Sequence, residues 1–138
     1  MAPALLRLLY LSIVLLTAAG PVRADDAAVI GKWYGALLTA DRAVLSELLA
    51  ENARIRLDDL GIEQSKDEFI ASMDEWEGAV AGAAIRHRID SQAAGVTTVT
   101  ACYDFPANDI MMQETFTIEG DHVAASTQAT VAENCDSF

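Results

Sequence analysis

The chain reads as an α+β domain with its helices gathered on one side of a curved sheet. Three observations predict this. Apolar residues recur at helical spacing up to about residue 80, with one short strand among them, and alternate with period two from residue 85 onward. The period-two half is cut by Ala93-Ala94-Gly95, Pro106-Ala107-Asn108-Asp109 and Gly120-Asp121, each short enough to close a hairpin. No repeat, low-complexity tract or Pro/Gly/Ser linker divides the chain, which indicates one domain.

The first 24 residues precede that domain. Arg7 gives a weak positive start, residues 8–19 form a short apolar run, and Val22-Arg23-Ala24 is a small-x-small cleavage pattern. This is the form of a secretory leader cut after Ala24, since a membrane span needs about 20 apolar residues. The expected mature domain is then residues 25–138, periplasmic or secreted, with no membrane association once the leader is gone. All 21 acidic residues lie in it, and Arg7 and Arg23 are lost from the nine basic ones, so the net charge moves from −12 to −14. Such a field repels nucleic acid and excludes it as a partner.

Residues 27–38 form the first predicted helix, with Ile30, Trp33, Tyr34 and Leu37 on one side. Asp41 caps a second short helix carrying Val44, Leu45, Leu48 and Leu49. Ile55 and Leu57 alternate with Arg54 and Arg56 in a strand that ends at the turn Asp58-Asp59-Leu60-Gly61. Ser65-Lys66-Asp67-Glu68 is a capping box opening a third helix, with Phe69, Ile70, Met73 and Trp76 inward. Strands then follow at about residues 85–92, 96–105, 110–119 and 122–132, as an antiparallel meander.

Trp33-Tyr34-x-Ala36-Leu37-x-x-x-Asp41, followed by Ala53-Arg54-Ile55, resembles the entrance of the NTF2-like (SnoaL-like) superfamily. The resemblance implies a cone in which three helices close over a strongly bent sheet. That superfamily contains ketosteroid isomerases, dehydratases, epoxide hydrolases, polyketide cyclases and non-catalytic binding proteins, so it implies a fold more than an activity. Counting from Asp41, the isomerase's first-helix tyrosine falls on Trp33 and its catalytic aspartate on Leu57. An indole does not replace a phenol as an acid, and Asp58, one place on, points to the other face by strand alternation.

The meander supplies the remaining candidates. Its inward faces are apolar apart from His87 on the first strand and Glu114 on the third, with Tyr103 on the second. Hairpin lengths predict Glu119 opposite His122, and so Glu114 opposite Thr127, and Phe105 opposite Ile110, and so Ala101 opposite Glu114; the three-residue turn leaves the next pairing looser, and face parity permits His87 opposite Ala101. The inward row would be His87, Ala101, Glu114 and Thr127, with His87 and Glu114 about 10 Å apart at the backbone. The pocket candidates are therefore Trp33, Trp76, His87, Tyr103, Glu114 and Thr127. One reading is a pocket for a small, largely apolar molecule, or a protein partner, without catalysis. The alternative is a lyase, isomerase or hydrolase in which Glu114 charges His87 as general base. A third feature is the outward set Thr98, Thr100, Met111, Gln113, Thr115, Thr117, Ala124, Ser126, Gln128 and Thr130, a nearly uncharged face suited to a homodimer contact.

Cys102 and Cys135, an even count in an exported chain, are expected to form a disulfide. Two cysteines and two distant histidines show no metal-ligand spacing. There is no glycine-rich phosphate loop and no Gly-x-Ser-x-Gly elbow, so no cofactor is expected.

Overall fold

The computed structural model describes residues 23–138. Nearly all of the leader lies outside the described residues. Helix α1 (Ala24–Leu38) starts three residues earlier than its apolar periodicity indicated, with Asp25 and Asp26 in its first turn, where the helix dipole favours negative charge. Asp26 is buried and accepts a hydrogen bond of 2.6 Å from the Gln92 side chain, which pins this end of the helix to the sheet. Helix α2 (Arg42–Leu48) is capped by Asp41, whose carboxylate accepts from the Val44 amide at 3.1 Å. That contact satisfies one of the free amides of a two-turn helix.

Strand β1 (Leu49–Leu57) leaves α2 with no intervening loop, so it begins well before the alternation at Ile55 and Leu57. A 3-10 turn (Asp58–Leu60) closes on Gly61, which takes the left-handed conformation (φ 64°) that glycine tolerates best. It returns the chain as β2 (Ile62–Ser65), a strand that no apolar alternation announces. Helix α3 (Lys66–Val80) starts as its capping box predicts, with the Ser65 hydroxyl accepting from the Glu68 amide at 3.3 Å. The meander follows as β3 (Ala84–Ala93), β4 (Val96–Asp104), β5 (Asp109–Glu119) and β6 (His122–Ala132).

The six strands lie in the order β2-β1-β6-β5-β4-β3. Only β1 and β6 run parallel, and every other neighbouring pair is antiparallel. The three helices close over one face of this sheet. Trp33 fills the narrow part of the resulting cone: it is fully buried, stacked on Phe69 at 5.2 Å and edge-on to Phe116 at 5.7 Å. Leu45, Leu49, Ile55, Val99 and Val123 complete the core around it.

The register departs from the turn-based expectation in two places. Glu119 does face His122, and His87 does face Ala101. Phe105, however, belongs to the β4–β5 turn, where its amide donates to the Asn108 carbonyl at 2.9 Å. Pairing therefore starts at Asp104 with Asp109, which slides β5 by two residues and sets Glu114 opposite Val99, not Ala101. A slide of two keeps the facing of every side chain. The second departure does not. A bulge at Ala124 places Ile118 opposite Val123 but Thr117 opposite Ala125, so Glu114 faces Gln128. Thr127 pairs with Thr115 on the outer face, their hydroxyls in contact, and Ser126 and Gln128 turn inward. Thr127 is thus removed from the predicted pocket, and Ser126, Gln128 and Thr130 from the predicted outer patch.

Cys102 and Cys135 are joined, with their Cα atoms 5.8 Å apart. The bond carries the C-terminal segment across the outer face, where the Phe138 ring lies under the guanidinium groups of Arg86 (4.7 Å) and Arg88 (5.1 Å). Part of the neutral outer face is therefore covered by this chain itself.

Candidate functional site

Glu114 stands in the middle of β5 and has no exposed surface. Two phenols hold its carboxyl. Tyr34 donates from α1 to Oε1 at 2.9 Å, and the Tyr103 hydroxyl of β4 lies 3.0 Å from Oε1 and 2.7 Å from Oε2. Two phenolic protons cannot occupy three such contacts. A proton on Oε2, donated to Tyr103, completes the set, so the geometry suits the neutral acid. The electrostatics agree. Burial raises the Glu114 pKa to about 7, against the opposing pull of the hydrogen bonds from Tyr103 and Tyr34. Burial, reinforced by the Glu114 charge, pushes both phenols well above the ordinary tyrosine value.

His87 does not join this cluster as a dyad partner. Its ring stacks on Tyr34, with centroids 4.6 Å apart and planes 20° from parallel, and it is exposed on the edge strand β3. Partial burial holds its pKa below the ordinary histidine value. Inward parity was correct for His87, but at a sheet edge facing the helices is not the same as enclosure. Tyr34, with its ring on His87 and its hydroxyl on Glu114, takes the place of the expected contact. The sequence contained a signal for it: a tyrosine on the core face of a helix needs a partner for its hydroxyl.

The wide end of the cone is open, with a cavity of about 470 Å³. Trp76, Tyr103 and Phe105 form one wall, Phe69 and Met73 another, and Leu57 and Met112 part of the sheet floor. Its polar lining is sparse: Gln64 from β2, Gln128 from β6, and Ser72 and Glu75 from α3. Of the predicted pocket residues, Trp76 and Tyr103 line the cavity. Glu114 lies behind Tyr103, Trp33 packs in the narrow core, and His87 and Thr127 are outside. Gln64 comes with β2, which no local pattern marks, and Gln128, expected on the outer face, is turned inward by the bulge. Asp58 remains outward, exposed and paired with Arg56 at 2.7 Å, so Leu57 alone represents this strand end in the cavity.

No protein-family model matches the chain, and no curated protein sequence does. Solved structures do resemble it. A candidate ketosteroid isomerase from Kribbella flavida superposes with a TM-score of 0.67 at 13% identity, over 78% of each chain. A candidate polyketide cyclase from Streptomyces antibioticus gives 0.66 at 12% identity, over 79% of this chain and 93% of the other. An NTF2-like protein of unknown function from Burkholderia xenovorans gives 0.66 at 11% identity, over 83% and 87%. Identities this low speak to architecture and not to chemistry. With three helices closed over a six-stranded, mostly antiparallel sheet, the chain has the NTF2-like fold.

Proposed function

We propose that this is an exported domain whose open cone binds one small, largely apolar molecule without transforming it. The observation that carries this reading is the cavity itself. It has the size of a small-molecule site and mostly apolar walls. Leu57 stands where the resemblance would place a catalytic carboxylate, and the Tyr103 hydroxyl is turned away to Glu114. Export is supported by the leader pattern and by the disulfide, which belongs to oxidising compartments. Among the described residues no helix is long and apolar enough to cross a membrane.

A fluorescence titration with Nile red, a neutral apolar dye, tests the cavity. The mature protein is expected to bind it with a strong emission increase. Met112→Trp, which adds volume on the cavity floor, is expected to abolish the increase while leaving the melting temperature equal or higher. Undiminished dye binding by a folded Met112→Trp variant would show that the dye sits elsewhere.

The buried carboxyl supports a second reading, because a group titrating near neutrality suits acid–base work. Ionised Glu114 would then act through Tyr103, whose oxygen takes a proton from the substrate's α-carbon as the phenol's own proton passes to the Glu114 carboxylate. This reading predicts that a bound ketone exchanges its α-protons with D2O, and that Tyr103→Phe abolishes the exchange. A panel of ketones that bind but do not exchange leaves binding alone.

A further inference from the structure

The walls of the cavity are electrically one-sided. Trp76 stands 85° to Tyr103 and 79° to Phe105, at 5.9 Å from each, while Tyr103 and Phe105 lie 18° from parallel at 6.2 Å. The Trp76 indole donates to the Leu37 carbonyl at 2.7 Å, which fixes the ring at this corner. Aromatic faces carry partial negative charge, so a wall to which Trp76, Tyr103 and Phe105 all contribute offers a cation attraction at each ring face it meets. The Tyr103 hydroxyl is held by the Glu114 carboxyl, which fixes this ring in the wall as the Leu37 carbonyl fixes Trp76. Among the described residues lining the cavity there is no lysine, arginine or histidine. Its ionisable groups are the Tyr103 phenol and Glu75, exposed at the rim, and the chain as a whole carries a net charge of −12.

Each class of ligand meets these walls differently. A carboxylate finds no cation and a repelling field. A neutral hydrocarbon gains burial only. A primary ammonium loses hydration that Gln64, Gln128 and Ser72 replace poorly. A cation whose charge is spread beneath methyl or methylene groups gains burial, ring attraction and the field together. Building on the reading of the cavity as a small-molecule site, we propose that its ligand is an apolar monocation, a tertiary or quaternary ammonium compound.

Three probes of similar size separate charge from shape: benzyltrimethylammonium, its neutral isostere neopentylbenzene, and phenylacetate. Calorimetric titration at low ionic strength is expected to give the cation at least about tenfold tighter binding than the isostere, with no measurable binding of the anion. Glu75→Gln, at an exposed position, is expected to weaken the cation about threefold and leave the isostere unchanged; Phe105→Leu is expected to weaken it further. Neopentylbenzene binding as tightly as the cation overturns the proposal and leaves the cavity reading intact. So does binding of Nile red with no binding of the cation. Cation binding indifferent to both variants would remove it from this corner, and failure of Nile red and all three probes would overturn the cavity reading itself.

Discussion

The native chain is expected to lose stability as pH rises from about 5 to about 8, and Glu114→Gln to flatten that fall. An unfolded glutamate titrates near 4.5, whereas Glu114 in the fold titrates near 7 because burial penalises its charge. Between those values the folded protein keeps a proton that the unfolded chain has released, so raising the pH favours unfolding. The contribution is complete below about pH 4.5 and is lost as pH passes through about 7; its size is about 3 kcal/mol. Glutamine copies the neutral acid, with its carbonyl accepting from Tyr34 and Tyr103 and its amide donating to Tyr103. His87 acts in the opposite sense: held below the ordinary histidine value, it loses stability as pH falls. The difference between native and Glu114→Gln proteins isolates the carboxyl. Urea unfolding at pH 5, 6, 7 and 8 measures it, and parallel profiles for the two proteins would show that Glu114 is not held neutral by the fold.

Loss of the Cys102–Cys135 bond is the other large effect. It closes a loop across a sequence separation of 33 residues, which restricts the unfolded chain by about 3 to 4 kcal/mol on the loop-entropy model. The double variant Cys102→Ala/Cys135→Ala is expected to unfold at a correspondingly lower urea concentration and to ignore added dithiothreitol. The native protein, denatured with reductant present, is expected to approach the variant. An unchanged midpoint for the variant would mean that the tail is held by its other contacts, the Phe138 ring beneath Arg86 and Arg88 and the Cys135 amide donating to Asp109 at 2.8 Å.

The parts of this fold legible in the sequence are those with a local physical cause. Asp41 and Ser65 announce helix starts because their side chains replace missing backbone partners, and the change from helical to alternating spacing separates the two halves of the domain. Strand β2 has no such cause: Ile62 is the only apolar member of its four residues, and pairing with β1 makes it a strand. Bulges are equally silent, since Ala124 differs in no compositional way from its neighbours. The site shows the same division. Trp76 is legible as a cavity residue from helical spacing, and Tyr103 and the inward acid Glu114 from strand parity, because each depends on local period alone. The partners of Glu114 depended on how far strands slide and on where α1 crosses the sheet, which are tertiary facts. Hence strand parity points to His87 as the partner of Glu114, and the contact belongs to Tyr34 of α1.

The bulge at Ala124 gives the cone a peculiar kind of memory. Residues 125 to 130 owe their facing to one uncounted alanine, as letters in a code owe their meaning to the reading frame. With the extra residue in place, Gln128 furnishes the cavity and Thr127 faces outward; with the frame shifted by one, those roles would be exchanged without any change in the letters. What the binding chamber contains is thus written partly in arithmetic, and a lineage carrying this sheet has access to two different linings through a single indel.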